Sequence, residues 1–76
     1  MAGKPIPKPS FLDECESLGA INGKKRWRSK DAKRLFEWDS FHGEIEVYND
    51  RGYHLGVYNP EGELIKPAKK GRKIDV

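Results

Sequence analysis

The sequence is poor in cysteine and has no long apolar run. Cys15 is the one cysteine among 76 residues, which excludes an intramolecular disulfide and a cysteine-rich metal site. No segment approaches the roughly 20 apolar residues of a membrane-spanning helix. The start of the chain also lacks the apolar stretch of a signal peptide. We therefore expect a domain that makes no membrane contact of its own.

Hydrophobic residues are also few for a folded domain. They make up 36% of the chain, as do charged residues, so the core must be small. Pro5, Pro7 and Pro9 are typical of an extended segment. The sequence thus predicts a linker over residues 1–9 and a single domain over residues 10–76.

Charge is distributed unevenly around a net value of +3. Residues 1–34 carry nine Lys or Arg and four Asp or Glu, residues 35–65 carry one and seven, and residues 66–76 carry five and one. A module that only binds phosphates gains little from central acids, because each of them repels the polyanion. An RNA-cleaving site needs such acids, because its proton-transfer groups must lie within a basic surround.

The pattern of apolar residues predicts a mainly β (α+β) fold, with a short N-terminal helix followed by an antiparallel sheet of about five strands. Ser10 is a candidate N-cap and Gly19 a candidate helix end, and the apolar residues between them recur at helical spacing. From residue 33 onward, apolar and polar residues alternate between turn-forming segments. The predicted strands span residues 33–39, 43–49, 53–58, 62–66 and 72–75.

The second predicted strand carries the residues with the most chemistry. Strand alternation places Ile45 and Val47 on one face, which we expect to be core. The other face would gather His42, Glu44, Glu46 and Tyr48, and Asp39 approaches from the preceding strand. Attack of an RNA 2′-hydroxyl on its own phosphate needs a base, an acid and a cation, which carboxylate, imidazole and guanidinium can supply without a metal.

Other interpretations of these residues stay open at this stage. Polar residues on one face of a strand are often just its solvated side. Asp39 could be a turn former whose carboxylate bonds to the backbone of Phe41 or His42. Asp39, His42, Glu46 and His54 could also be metal ligands, although their spacing matches no common metal motif.

The basic ends predict an RNA surface. Trp27 lies within a run of Lys and Arg, a combination typical of single-stranded RNA sites, although it could equally pack on the core. Arg72 lies in the C-terminal basic run, and its sequence position alone does not distinguish it from Lys73. The candidate RNA-binding residues are Lys24, Lys25, Arg26, Trp27, Arg28, Lys69, Lys70 and Lys73.

Four segments together closely resemble one known family. They are Lys24-Lys25-Arg26-Trp27, Phe36-Glu37-Trp38-Asp39-Ser40-Phe41-His42-Gly43-Glu44-Ile45-Glu46, His54-Leu55-Gly56 and Gly71-Arg72-Lys73-Ile74. In this order they resemble the cytotoxic ribonuclease domain of the rRNA-cleaving colicins and cloacin. The resemblance covers residues 24–76, and its central string is long and contains rare residue types.

The resemblance implies a strongly twisted antiparallel sheet that cuts small-subunit (16S) ribosomal RNA at the decoding centre and so blocks translation. It implies Glu46 as general base, His42 as general acid and Asp39 as the support of His42. Arg72 would stabilise the phosphate and Tyr48 would be the active-site tyrosine, with no cofactor and no metal. The implied partners are the ribosome and an acidic cognate immunity protein.

The chain departs from the family in three places. Beside the site, Phe41 stands where those colicins carry glutamine and Tyr53 is likewise more aromatic. The tail after Ile74 is variable, and the third departure lies near the N-terminus. The segment 5–22 replaces a glycine-rich linker, which favours a related bacterial toxin, secreted or delivered as part of a larger protein, that acts in the cytoplasm of a target bacterium. The alternative function is a non-catalytic module that binds RNA or ribosomes.

Overall fold

The computed structural model describes residues 3–76, which form one antiparallel sheet of six strands in sequential order. The main class predicted from the sequence is therefore confirmed. A 3-10 turn at Phe11–Glu14 precedes the sheet. The strands are β1 (Glu16–Ile21), β2 (Lys24–Arg28), β3 (Arg34–Asp39), β4 (Glu44–Asn49), β5 (His54–Tyr58) and β6 (Leu64–Pro67). Within these residues, no helix is long and apolar enough to cross a membrane.

The predicted N-terminal helix is wrong. The chain makes a single turn at Phe11–Glu14, where the Asp13 carboxylate accepts a hydrogen bond from the Ser10 N–H, and Cys15 is already extended. An isolated turn is too short to propagate a helix, whereas β1 gains a full strand pairing with β2. Asn22 and Gly23 join these strands with φ values of 53° and 82°, the conformation that a tight hairpin turn requires.

Four of the five predicted strands correspond to β3, β4, β5 and β6, with small shifts at their ends. The fifth, over residues 72–75, is wrong. That segment lies beyond the six strands of the sheet and makes one isolated bridge, between Tyr53 and Lys73. The basic run at residues 24–28 is strand β2, which the sequence analysis left unassigned.

One face of the sheet, here called the core face, carries the hydrophobic core. Phe36, Ile45 and Val47 lie there with exposures of 1% or less, and Leu12 of the 3-10 turn covers them at 2%. The prediction of Ile45 and Val47 as core residues is therefore confirmed. Burial of such side chains stabilises the fold by about 1.5–3 kcal/mol each.

The N-terminal segment lies against the sheet. Within the predicted linker 1–9, residues 1 and 2 fall outside the described part of the chain. The Lys4 N–H donates to the Ser40 carbonyl at 2.8 Å, and the Trp38 indole N–H donates to the Lys4 carbonyl at 2.9 Å. Ile6 packs against the core. These contacts tie the segment to the turn between β3 and β4.

The opposite face, here called the polar face, is covered in part by the C-terminal segment. His54 N–H donates to the Arg72 carbonyl at 3.0 Å, and Ile74 N–H donates to the Gly52 carbonyl at 2.9 Å. The Arg26 guanidinium donates to the Asp75 carbonyl at 2.8 Å. Four polar residues of this face are buried, namely Arg26, Glu37, Glu46 and His54.

Candidate active site

The site is organised by the turn between β3 and β4, residues 40–43, called the β3–β4 turn below. Asp39 ends β3, and its main-chain oxygen accepts the Gly43 N–H at 2.7 Å. Its Oδ1 accepts the backbone N–H groups of Phe41 at 3.0 Å and His42 at 3.2 Å. The interpretation of Asp39 as a turn former therefore holds for this oxygen.

The second oxygen of Asp39 makes a different contact. Asp39 Oδ2 lies 2.7 Å from His42 Nδ1. Partial burial on its own would raise the pKa of Asp39, but the hydrogen bonds from the His42 ring and from the backbone of His42 and Phe41 outweigh it and leave this pKa lowered. Because the carboxylate stays ionised and accepts, Nδ1 of His42 carries a proton. Nδ1 is held by Asp39, so Nε2 of the exposed ring is the atom that can exchange a proton with a substrate.

Glu46 lies in the middle of β4, on the polar face, and is 5% exposed. Its Oε1 lies 2.9 Å from His54 Nε2 and 3.1 Å from Arg72 Nη1. Within residues 3–76, no hydrogen bond reaches its Oε2. The carboxylate is thus fixed through one oxygen, and the other can accept a proton.

The His54 tautomer follows from its two contacts. The Lys69 backbone N–H donates to His54 Nδ1 at 2.8 Å, so this nitrogen is the acceptor. The ring proton then lies on Nε2 and points to Glu46 Oε1. The sequence pattern indicates His54 only as a possible metal ligand and does not predict its contact with Glu46. The strand register that pairs His54 with Tyr48, beside Glu46, was the signal that could have found it.

Tyr48 lies beneath this cluster. It is fully buried and its ring packs edge-on against His54 at 5.3 Å between centroids. Burial raises the pKa of Tyr48, and the charges of Glu37 and Glu46 add to this effect while Arg72 opposes it. Its hydroxyl has no hydrogen-bond partner among the residues that the structure describes. The phenol therefore stays protonated at neutral pH.

The polar face contains one cleft of about 240 Å³ beside these side chains, called the acid–base cleft below. It brings together Asp39, His42, Glu46 and Arg72, as the sequence predicted, whereas Tyr48 does not line it. The remaining lining residues are Glu44, His54, Val57, Lys66, Pro67 and Lys69. A carboxylate, an imidazole and a guanidinium facing one space can take up a proton, deliver a proton and neutralise an anion.

Five of the eight candidate RNA-binding residues are exposed lysines, and the other three make contacts within the domain. Lys24 and Lys25 on β2, and Lys69, Lys70 and Lys73 near the C-terminus, are exposed. Trp27 is half-buried and packs against the core, which favours the structural interpretation of this indole. Arg28 pairs with Glu16 at 2.7 Å on the surface.

Arg26 does not fit the predicted RNA surface. Its side chain is 5% exposed and its Nη2 lies 3.0 Å from Glu37 Oε2. Strand alternation turns this side chain to the polar face, where Arg26 is paired directly with Glu37 in the register. The expectation that Arg26 binds RNA is corrected, because its charge is occupied by a buried carboxylate.

A metal could be held at one place in the described residues. Asp39, His42 and Glu44 each bring a ligand atom to within 4.8 Å of the others. A cation there would displace existing contacts, since Asp39 binds His42 and Lys66 Nζ donates to Glu44 at 3.0 Å. The metal set expected as an alternative differs from this one. It is disfavoured because both nitrogens of His54 are bonded to protein groups.

Comparison with known proteins identifies the family. The model of the family described as Cytotoxic matches residues 12–75. Colicin E3 of Escherichia coli is 40% identical over 53 residues, covering 67% of this chain and 10% of its own length. Cloacin and colicin-E6, also of Escherichia coli, are each 40% identical over 58 residues, covering 74% of this chain and 10% of their own length. The chain thus spans about a tenth of the length of these relatives. The resemblance found in the sequence is confirmed, and the chain belongs to the Cytotoxic family, which its similarity to the colicins and cloacin also supports.

Proposed function

We propose that this domain is an endoribonuclease toxin module that cleaves 16S ribosomal RNA at the decoding centre and so blocks translation. The observation that carries the proposal is the acid–base cleft, which gathers Glu46, His42 and Arg72 around one space. Similarity to the colicins and cloacin supports a toxin. The chemistry of the cleft supports RNA as the substrate, because the RNA backbone carries its own nucleophile.

Glu46 is the general base of the proposed reaction. Its Oε2 removes the proton of the ribose 2′-hydroxyl, and the 2′-oxygen then attacks the adjacent phosphorus. His54 and Arg72 hold the other oxygen, so the free one is fixed in direction. Glu44 lies on the same strand face but is held only by the exposed Lys66, whereas two groups hold Glu46 in a buried position. This is why we assign the base to Glu46.

His42 is the general acid. As the bond from phosphorus to the 5′-oxygen breaks, Nε2 of the protonated ring delivers a proton to that oxygen. The products are a 2′,3′-cyclic phosphate and a free 5′-hydroxyl, and Glu46 keeps the proton taken from the 2′-hydroxyl. Asp39 stabilises the charged imidazole through Nδ1. It also fixes the turn that carries His42.

Arg72 stabilises the negative charge that builds up on the phosphate oxygens. Its guanidinium is 38% exposed, so it can reach a phosphate at the mouth of the cleft while it contacts Glu46. Tyr48 acts from below the cleft. Its buried ring packs against His54, which donates to Glu46, so Tyr48 supports the position of the proposed base without contacting the phosphate. No step requires a metal, because side chains supply the base, the acid and the cation.

The exposed lysines form the proposed RNA surface. Lys69 lines the acid–base cleft, Lys70 and Lys73 follow it, and Lys24 and Lys25 lie near the β3–β4 turn. Neutralising phosphates with such charges supplies affinity without sequence readout. The same basic surface suits an acidic cognate immunity protein, which would hold the toxin inactive. The larger toxin would be secreted or delivered and would act in the cytoplasm of a target bacterium.

The test is to incubate the domain with intact ribosomes in a magnesium buffer, and with naked RNA with a chelator present, and to map the new RNA ends. We expect one cut in the 16S RNA of ribosomes, and none with His42→Ala or Glu46→Ala, both of which should remain folded. Scattered cuts in naked RNA would indicate a general ribonuclease. Undiminished cleavage by both variants would refute the assignment. Binding without cleavage by the unaltered domain would support the non-catalytic module instead.

A further inference from the structure

A second cleft, of about 400 Å³, adjoins the acid–base cleft and shares Asp39 with it. We call it the turn cleft. Its lining residues are Gly23, Lys24, Lys25, Trp38, Asp39, Ser40 and Phe41. The volume lies within the range of about 300–1,000 Å³ typical of sites for small ligands. The roles assigned to the acid–base cleft make no use of it.

Phe41 is the most exposed large hydrophobic side chain described, at 81%. One exposed aromatic ring is not unusual in itself. This ring, however, contacts the ring of His42 edge-on, with 4.7 Å between centroids. Any group that lies on the free face of Phe41 therefore lies beside the proposed general acid.

The backbone around Phe41 is held in place. Its N–H donates to Asp39 Oδ1, and the preceding carbonyl, that of Ser40, accepts the Lys4 N–H. Gly43 closes the turn at a φ of 69°, with the Lys4 side chain packed where a Cβ would lie. The ring is thus presented on a fixed support, which lowers the entropy cost of binding.

The remaining groups of the turn cleft indicate the class of ligand. Lys24 and Lys25 contribute two exposed ammonium groups, and Asp39 contributes a carboxylate that His42 already binds. The Trp38 indole N–H is occupied by the Lys4 carbonyl. An aromatic platform beside two cations matches a base with its phosphate. A concave space of this size favours a single nucleotide over the broad surface of a protein.

We propose that the turn cleft binds the nucleotide on the 3′ side of the cleaved phosphate. Its base stacks on Phe41, and the phosphate that follows it pairs with Lys24 and Lys25. The direction rests on the proposed function. His42 protonates the 5′-oxygen that leaves, and this oxygen belongs to the 3′ nucleotide. The 5′ nucleotide, with its 2′-hydroxyl, lies at Glu46 in the acid–base cleft.

The test compares three short RNAs that share one cleavage site: one unmodified, one with an abasic 3′ nucleotide and one with an abasic 5′ nucleotide. Loss of a base–aromatic stack corresponds to about a 5- to 150-fold loss. We expect Phe41→Ala to lower kcat/KM by this factor on the unmodified RNA and on the RNA with the abasic 5′ nucleotide. On the RNA with the abasic 3′ nucleotide, it should cleave like the unaltered domain.

Two variants serve as controls. Phe41→Trp should retain the activity, because the indole also stacks. Leu64→Ala removes another exposed apolar side chain, 63% exposed on β6, and should leave all three RNAs cleaved normally. An equal loss with Phe41→Ala on all three RNAs would mean that the ring only positions His42, and it would overturn the subsite.

The outcomes also separate the subsite from the proposed function. If the unaltered domain cleaves none of the RNAs and no ribosomal RNA, the proposed function fails and the subsite with it. If it cleaves ribosomal RNA but none of the short RNAs, the same comparison is made by measuring the binding of the three RNAs to each variant. If it cleaves all three and Phe41→Ala changes nothing, only the subsite fails. If Phe41→Ala instead weakens binding of an acidic protein partner and leaves cleavage unchanged, the ring belongs to a protein interface, and the subsite is again overturned.

Discussion

Two substitutions at His54 separate the two hydrogen bonds that this buried ring makes. Its Nε2 donates to Glu46 Oε1 at 2.9 Å, and its Nδ1 accepts the Lys69 N–H at 2.8 Å. In His54→Gln, the side-chain amide nitrogen takes the place of Nε2, so the bond to Glu46 is kept and the bond from Lys69 is lost. In His54→Asn, the side-chain oxygen takes the place of Nδ1, so the opposite bond is kept.

The two hydrogen bonds differ in what their loss should change, the rate of cleavage or the stability of the fold. A hydrogen bond to a charged group contributes about 1.5–3 kcal/mol, which converts to about a 10- to 150-fold loss of cleavage if Glu46 loses its orientation. We expect this loss in His54→Asn and much less in His54→Gln. His54→Gln instead leaves the Lys69 N–H unpaired, which should lower the free energy of unfolding by about 1–3 kcal/mol.

The assay is single-turnover cleavage of RNA, measured where both variants are folded, together with urea unfolding of each. Both substitutions replace the same buried ring with a smaller amide, so each serves as the packing control for the other. If His54→Asn cleaves as well as the unaltered domain, or if both variants lose cleavage equally, the proposed orientation of Glu46 by His54 is wrong.

Three further predictions concern the fold. Arg26→Ala leaves Glu37 as an unpaired buried carboxylate and should lower the free energy of unfolding by about 3–5 kcal/mol in urea titrations, whereas Arg28→Ala breaks a surface pair and should cost under about 1 kcal/mol. Equal losses would contradict the buried pair. Leu12→Ala should cost about 2–5 kcal/mol by the same measurement, because Leu12 covers the core at 2% exposure, and a negligible loss would show that the N-terminal turn does not close the core. Because the pKa of Asp39 is lowered in the folded state, its stabilising contribution is complete above the unfolded value of about 4 and is lost as the pH falls through the folded value. The free energy of unfolding of the unaltered domain should therefore fall as the pH is lowered below about 4, and in Asp39→Asn this fall should be smaller. An equal fall in both proteins would contradict the contacts of Asp39 with His42 and the turn.

Local patterns predicted much of the sheet. Alternation along β4 identified Ile45 and Val47 as core residues, and the turn-forming segments separated β3 to β6. The same alternation placed Glu46 and Tyr48 together on the other face. It could not show that this face is buried, because the burial comes from the C-terminal segment, which is distant in sequence.

The N-terminal part was mispredicted because local and distant signals compete there. The apolar residues between Ser10 and Gly19 have helical spacing, but the chain forms only a single 3-10 turn, at Phe11–Glu14. The segment then pairs with β2 through the Asn22-Gly23 hairpin turn. Strand β2 was not predicted because four of its five residues are charged and show no alternation of apolar and polar residues. Arg26 is buried in β2 only because it pairs with Glu37, which lies on another strand.

Strand alternation predicted only those site residues that lie close together in the sequence. Asp39, His42 and Glu46 occupy one hairpin, so strand geometry alone brought them together. Arg72 was selected only by family resemblance, and the structure brings it to Glu46 through a nonlocal contact at 3.1 Å. His54 was missed because its contact with Glu46 depends on the register between β4 and β5.

The most direct measurement of the central proposal is the chemistry of the RNA ends that the domain produces. Attack of the 2′-hydroxyl, with Glu46 as base and His42 as acid, predicts a 2′,3′-cyclic phosphate on one fragment and a 5′-hydroxyl on the other. A 3′-hydroxyl with a 5′-phosphate would contradict it.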